Sequence, residues 1–314
     1  MTGKLLTTMC VGTVALCMPG LAYGQLYSED FETDPTDDWV INHHPMTMGT
    51  ADFFFDYSSV GIPSAPNSGG TTRGLKLQAN LTGCIFGGFS VSPAVLDLSG
   101  DYILSFDVWS NYNGPLEFGG SGSTNISTYG ILTSGTSSNY PGAADGVWFA
   151  TTGDGGSSAD WRIYSPDAPG SYPNGHPFYT DPTRNHTGET YQVFGGHEAP
   201  AAQLALFPQQ TGTTRFGTAG FAWHEVVLEK SGDIVTWTMD GTLLATVDTA
   251  GMTLGGGNIL FGHSDINATS SSDPFAPDLL FTLVDNVSVV PEPASLIALG
   301  IGAVALLRRR KAKK

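Results

Sequence analysis

Residues 224–247 read HEVVLEKSGDIVTWTMDGTLLATV, and this stretch decides the fold. Short alternating runs separated by turn residues are strand signals. His224–Lys230 is one such run, and Ser231-Gly232 turns it. Ile234–Met239 is the next, and Asp240-Gly241 closes it into a hairpin. A type I′ turn needs positive φ, which glycine accepts without steric cost. Thr242–Val247 completes a meander of three strands.

The same pattern extends outward. Asn258–Gly262 and Leu279–Val289 read as strands downstream. Upstream, the run Tyr102–Trp109 places Tyr102, Leu104, Phe106 and Val108 on one face. Val147–Ala150 and Trp161–Tyr164 are further candidates. No stretch holds a period of ~3.6 residues with caps, so no long helix is expected. Residues 111–208 are rich in Gly, Ser and aromatics and read as long decorated loops with short strands. Gly119–Ser123 taken alone has linker composition. There is no internal repeat and no clean domain boundary, so residues 25–290 form one all-β unit; a single β domain can run to ~250 residues.

Trp223-His224-Glu225-Val226, the Trp237–Gly241 hairpin and Val284-Asp285-Asn286-Val287 resemble laminin-G and concanavalin-like lectin jelly rolls in their order and spacing. Tyr27–Glu32 resembles the first strand of carbohydrate-binding-module sandwiches. The likeness covers about the last third of the chain and its first strand. It implies an antiparallel two-sheet jelly-roll sandwich with Greek-key connections.

The two ends carry a different kind of signal. Lys4 precedes an apolar run, Leu5 to Leu21, closed by Ala22-Tyr23-Gly24. That is the layout of a signal peptide. Signal peptidase would remove residues 1–24, leaving Gln25 first. A retained anchor fits less well, because Pro19-Gly20 breaks the run. A lipoprotein reading through Cys17 fails on the large Leu16 before it.

At the other end Pro291-Glu292-Pro293 is followed by the apolar run Ala294 to Leu307, then by Arg308, Arg309, Arg310, Lys311, Lys313 and Lys314. As a helix the run reaches only ~21 Å at ~1.5 Å per residue, against a hydrocarbon core of ~30 Å. Such a span suits transient inner-membrane anchoring, with the basic tail in the cytoplasm. Residues 291–314 thus resemble the PEP-CTERM sorting signal. The resemblance implies recognition by an exosortase, cleavage near the Pro-Glu-Pro motif, and delivery to the envelope, surface or extracellular matrix of a Gram-negative cell.

Lys4 and the six tail residues account for seven of the 13 Lys+Arg, and Glu292 for one of the 29 Asp+Glu. Six basic residues then face 28 acidic ones in residues 25–290. So acidic a body repels nucleic acid and anionic membrane surfaces and attracts divalent cations. Cys10 and Cys17 leave with the signal peptide, and Cys84 has no partner for an intramolecular disulfide. Stability must come from a core or a metal.

Catalytic patterns are sparse. Glu225 and Glu229 are four apart, and Asp30 and Glu32 two apart. Neither reproduces the E-x-D-x-x-E of jelly-roll glucanases, so no nucleophile and acid at ~5–5.5 Å are assigned; these read as solvated strand faces. The histidines show no His-x-His or H-E-x-x-H spacing. His176, Tyr179, His186 and Tyr191 share one loop-rich segment, where a lyase would draw a base and an acid. Most of Trp39, Trp109, Trp148, Trp161, Trp223 and Trp237 read as core. Trp109 and Trp148 are the candidates for exposure and for stacking on a sugar ring, since the neighbours on the other face of their strands are the apolar ones.

Phe281, Leu283, Val287 and Val289 share a strand face with Asp285, which puts that carboxylate on the apolar side. A buried carboxylate must be paired or metal-bound. With so few cations, a hard divalent ion with oxygen ligands is one solution; a protonated or backbone-bonded Asp285 is the other. The resemblance to carbohydrate-binding sandwiches implies a structural Ca²⁺ held by Glu32, Asp285 and, as a third ligand, Asp30. The functional expectation is a noncatalytic sandwich that binds glycan or builds structure in the extracellular polysaccharide. The alternative is a secreted polysaccharide hydrolase or lyase.

Overall fold

The computed structural model describes residues 24–44, 49–79, 87–114, 124–153, 155–266 and 274–292. The apolar N-terminal run, Cys84, Gly119–Ser123, Pro293, the apolar run Ala294–Leu307 and the Arg308–Lys314 tail lie outside the described residues. In chain order the strands are β1 (Tyr27–Glu29), β2 (Trp39–His43), β3 (Thr50–Asp56), β4 (Arg73–Gln78), β5 (Gly87–Pro93), β6 (Tyr102–Asn111), β7 (Asn125–Thr133), β8 (Val147–Thr152) and β9 (Trp161–Tyr164). A short helix α1 (Ala201–Leu206) precedes β10 (Trp223–Ser231), β11 (Ile234–Met239), β12 (Thr242–Asp248) and β13 (Asn258–Asp265). One more turn of helix, α2 (Ala276–Leu279), leads into β14 (Phe281–Pro291). The last strand thus begins two residues later than the sequence pattern suggested, because Leu279 closes α2.

The strands form two antiparallel sheets. The first runs β12-β11-β10-β6-β14-β4-β3, with β1 also on β14; the second runs β2-β5-β13-β7-β8-β9. This is a jelly-roll sandwich: β6 lies between β10 and β14, and the first strand pairs with the last, Ser28 opposite Ser288. The β10–β12 meander folds as its sequence predicts, with Leu228 opposite Trp237. Asp240 and Gly241 take φ of 47° and 76°, the two left-handed residues that a type I′ turn demands.

Tyr102, Leu104, Phe106 and Val108 all point into the principal core. Trp237 sits among Phe149 at 4.8 Å, Trp161 at 5.7 Å and Tyr129 at 5.9 Å between ring centroids. Each such buried side chain contributes on the order of 1.5–3 kcal/mol. The outer faces are covered as well. On the first sheet Trp109, Phe281 and Leu283 pack beneath Tyr57, Ala199 and Phe221. On the second, Trp148, Ile126 and Leu260 pack with Tyr164. Between the sheets lies a closed polar chain: Ser127 joins Ser110 at 2.6 Å and Thr282 at 2.8 Å, and His263 joins Thr282 at 2.8 Å and Asn125 at 2.7 Å. Burial pushes the His263 pKa down to about 3, so this imidazole is neutral.

Candidate functional site: a carboxylate row beside an open cleft

The site starts from one irregularity in β14. Its pairing with β6 slips between Asp285 and Ser288. Asn286 there has a φ of 54°, a region in which asparagine is several-fold enriched. A bulge of this kind resets the alternation of faces. Val284, Val287 and Val289 therefore all point into the principal core, whereas Phe281 and Leu283 belong to the outer cluster. Asp285 follows that outer parity, and this corrects the face read from strict alternation. It is buried nonetheless, at 0 % exposure, under Tyr57 and the loop that follows it.

On this outer face Asp285 lies opposite Asp107 of β6, and Asp107 opposite Glu225 of β10. The three carboxylates form a row across adjacent strands. Asp107 is fully buried. Its Oδ1 accepts from the Asn67 side-chain amide at 2.9 Å, and its Oδ2 from the Asn67 backbone N–H at 3.1 Å and the Asn286 amide at 2.9 Å. Asp285 accepts from the Tyr57 hydroxyl at 3.0 Å and from the Asn286 backbone N–H at 2.7 Å. Burial, and then the negative charges of Asp107 and Glu32, push its pKa up to about 7. Glu225, at the open end of the row, is exposed.

The row opens into a cleft of about 530 Å³ whose walls include Glu29, Asp30, Asn67, Glu225, Asn286 and Ser288. Asp30 and Glu29 reach it because β1 runs along β14 only as far as Glu29 opposite Val287, and β4 takes over at Val284. The chain then turns at Phe31, whose N–H is held by Glu29 at 2.8 Å, while Asp30 holds the N–H of Glu32 at 3.1 Å. Burial raises the Glu29 pKa. Glu32 Oε1 is buried without a hydrogen-bond partner among the described residues.

Of the residues expected to hold a cation, Glu32 and Asp285 lie close enough for the charge of one to act on the other. Asp30 is exposed on the cleft wall. Among the described residues no three of His, Cys, Asp and Glu converge tightly enough to form a metal centre on their own. The sequence reading missed Asp107, Asn67, Asn286 and Tyr57. The only local signal was Asp107, the single charged residue of β6.

Trp109 and Trp148 are not exposed; they are buried, at 2 % and 0 % exposure. Alternation assigns one face of a strand to the core, but here both faces are covered. Trp109 packs against Trp223 at 5.7 Å and donates its N–H to Asn111 at 3.0 Å. Trp148 stacks on Tyr164 at 3.6 Å. The loop histidines and tyrosines do not assemble into a base and acid either. His176 packs on Tyr172, and the Tyr179 hydroxyl is engaged by the backbone of Tyr172 and Ile163. Tyr191 lies under Trp161, its ionisation suppressed by burial.

The PEP-CTERM protein-sorting motif matches residues 289–311. It begins inside β14, where Val289 and Pro291 still pair with Leu104 and Tyr102. The motif implies an exported protein that is sorted at the membrane. No curated protein sequence matches the chain. Several solved structures are similar in outline. One is a Bacillus subtilis protein described as having a galectin-like fold, at 10% identity, 86% of this chain, 98% of that chain and a TM-score of 0.44. Another is the potassium-bound carbohydrate recognition domain of Emp46p, at 9% identity, 85% and 98% coverage and a TM-score of 0.42. A third is a Bacillus licheniformis beta-glucanase, at 10% identity, 86% and 99% coverage and a TM-score of 0.40.

Proposed function

We propose that the chain is a surface-sorted, noncatalytic sandwich that binds glycan or builds structure in the extracellular polysaccharide matrix of a Gram-negative cell. The observation that carries this reading is the continuity of the sorting motif with β14. Because the motif starts in a central strand, the cargo it delivers is the sandwich itself. Signal peptidase would free Gln25, the basic tail would hold the chain transiently in the inner membrane, and exosortase would cut near Pro291-Glu292-Pro293. A noncatalytic role is supported by the way Asp107 and Asp285 are held. Both are hydrogen-bonded and fully buried, and neither lines the cleft, so a polysaccharide in the cleft does not reach their oxygens.

One observation favours the hydrolase or lyase reading. Asp285, with its pKa pushed up to about 7, stands beside Asp107, and a carboxyl that holds its proton close to neutrality can serve as a general acid. A glycan array run with reducing-sugar and unsaturated-product assays separates the readings. Binding without product is the expected result. Turnover of any polysaccharide would establish the enzyme, and neither binding nor turnover would leave a structural role alone.

A structural Ca²⁺ completes the proposal. The unpartnered Glu32 oxygen and the repulsion among Glu32, Asp107 and Asp285 fit a site whose negative charge lacks a counter-ion. Glu32 and Asp285 would hold the ion, with Asp30 as a third ligand. When bound, Ca²⁺ would supply the positive charge that keeps Asp285 ionised.

A further inference from the structure

The last strand carries the start of the sorting motif into the folded domain. Pro291, the first residue of Pro-Glu-Pro, is paired with Tyr102 of β6, and Val290 with Ile103. Proline has no N–H, so Pro291 itself donates nothing to the ladder. The next residue restores the hold. Glu292 donates its N–H to Asp101 O at 3.2 Å, and its Oε2 accepts from the Ser231 hydroxyl at 3.3 Å. Pro291 and Glu292 are both half-buried.

The seat under Glu292 is built from two turns, Gly100-Asp101 before β6 and Ser231-Gly232 at the end of β10. They are tied to each other. Asp101 Oδ1 accepts from the Gly232 N–H at 2.8 Å. Lys230 Nζ donates to Gly100 O at 2.9 Å and to Gly232 O at 3.1 Å, and lies 3.6 Å from Asp101 Oδ1. Tyr102 beside this seat is locked in the core at 0% exposure, so the β6 side does not yield. Lys230, one of only six basic residues in residues 25–290, brings a positive charge to the corner where the motif's glutamate docks. The strand end is nevertheless held from one side. β4 pairs with β14 only as far as Val284 and β1 only at residues 287–289, so among the described residues β6 is the one strand that pairs with Val290 and Pro291. Such an end opens locally while the sandwich stays folded.

We propose that the folded sandwich masks the start of its own sorting motif, and that exosortase engages the chain only when residues 290–292 peel from β6 and from the Ser231 turn. The inference rests on the reading above that exosortase cuts near Pro291-Glu292-Pro293. An enzyme that recognises an extended segment needs its backbone groups and side chains free to pair with the enzyme. Here the Glu292 N–H and carboxylate are already engaged by the domain, so docking on the domain and docking in the enzyme exclude each other. The apparent affinity of exosortase for the chain is then reduced by the fraction of molecules whose strand end is peeled. The fold thereby sets the rate of its own processing.

The test is a pulse-chase of the full chain in a producing Gram-negative strain, with loss of the basic tail followed by mass, in the presence and absence of exosortase. One variant carries a six-residue Gly-Ser spacer between Val290 and Pro291, which leaves Pro-Glu-Pro and everything after it intact. It should lose its tail about two- to tenfold faster than wild type, the size of one or two lost hydrogen bonds. Ser231→Ala should shift the rate in the same direction by less. A second variant, Ile103→Cys with Val290→Cys, ties the strand end to β6. It should be processed more slowly than wild type when oxidised and regain the wild-type rate in reductant, with Val290→Cys alone as the control; that reversal separates a locked end from a misfolded chain. A spacer variant processed no faster than wild type, or a lock whose rate ignores reductant, would overturn the proposal while leaving exosortase processing in place. A tail retained in every form, or lost equally without exosortase, would overturn the processing reading and this inference with it.

Discussion

Asp285 and Asp107 lie side by side on β14 and β6, and the proton that burial holds on Asp285 makes the molecule respond to pH. Asp107 is met by three N–H donors. Asp285 has two donors, and burial, followed by two negative neighbours, raises its pKa from an ordinary 3.8 to about 7 against them. The folded state therefore holds this proton more tightly than the unfolded chain. Its stabilising effect is complete below about pH 4 and is lost as pH rises through 7. In chelator, stability should fall across that window, and Asp285→Asn should flatten the fall. In millimolar Ca²⁺ the wild type should recover stability above pH 7 by mass action, and Asp285→Ala should not respond. Melting curves from pH 4 to 8 with and without Ca²⁺ check this. Identical curves in excess Ca²⁺ and excess chelator, with no metal in the purified protein, would rule the ion out. The buried acid at 285 was legible in the sequence, but its face was not. One left-handed residue, Asn286, reverses the parity of everything after it, and Asp-Asn in a strand is only a weak sign of a bulge.

Among the elements, the β10–β12 meander was legible because its signals are local. Asp240-Gly241 demands one turn type, and the turn fixes the register of β11 against β12. The pairing of β6 between β10 and β14 was not legible, since it joins segments more than a hundred residues apart through hydrogen bonds that any strand can make. The same limit hid the covered outer faces. β8 alternates Trp148 with Phe149, and both are fully buried, one against Tyr164 and the other against Trp237. Trp148→Ala should therefore act on stability, by about 3–5 kcal/mol for a buried tryptophan, with the loss read as a lowered urea midpoint. A variant that keeps its midpoint but no longer binds glycan would instead mark Trp148 as a ligand platform.

At the scale of the whole molecule, a sandwich with an acidic cleft passes without a break into its own sorting signal. The last strand is held on one side by β6 and on the other by β1 and β4, and beyond it Glu292 still contacts the domain through its N–H to Asp101 O at 3.2 Å. The sorting signal was legible because it is linear: a Pro-Glu-Pro, an apolar run and an arginine cluster need no tertiary context. The cleft beside β14 was not, because its walls come from β1, β6, β10 and β14 and the loop at Asn67, segments far apart in the sequence. The central claim is that this sandwich leaves the cell and is released from its terminal signals. The most direct measurement is the intact mass of the protein recovered from the cell envelope and medium of a producing Gram-negative strain. The account predicts a chain that begins at Gln25 and lacks Arg308–Lys314; a full-length chain, Met1 to Lys314, retained in the cytoplasm would contradict it.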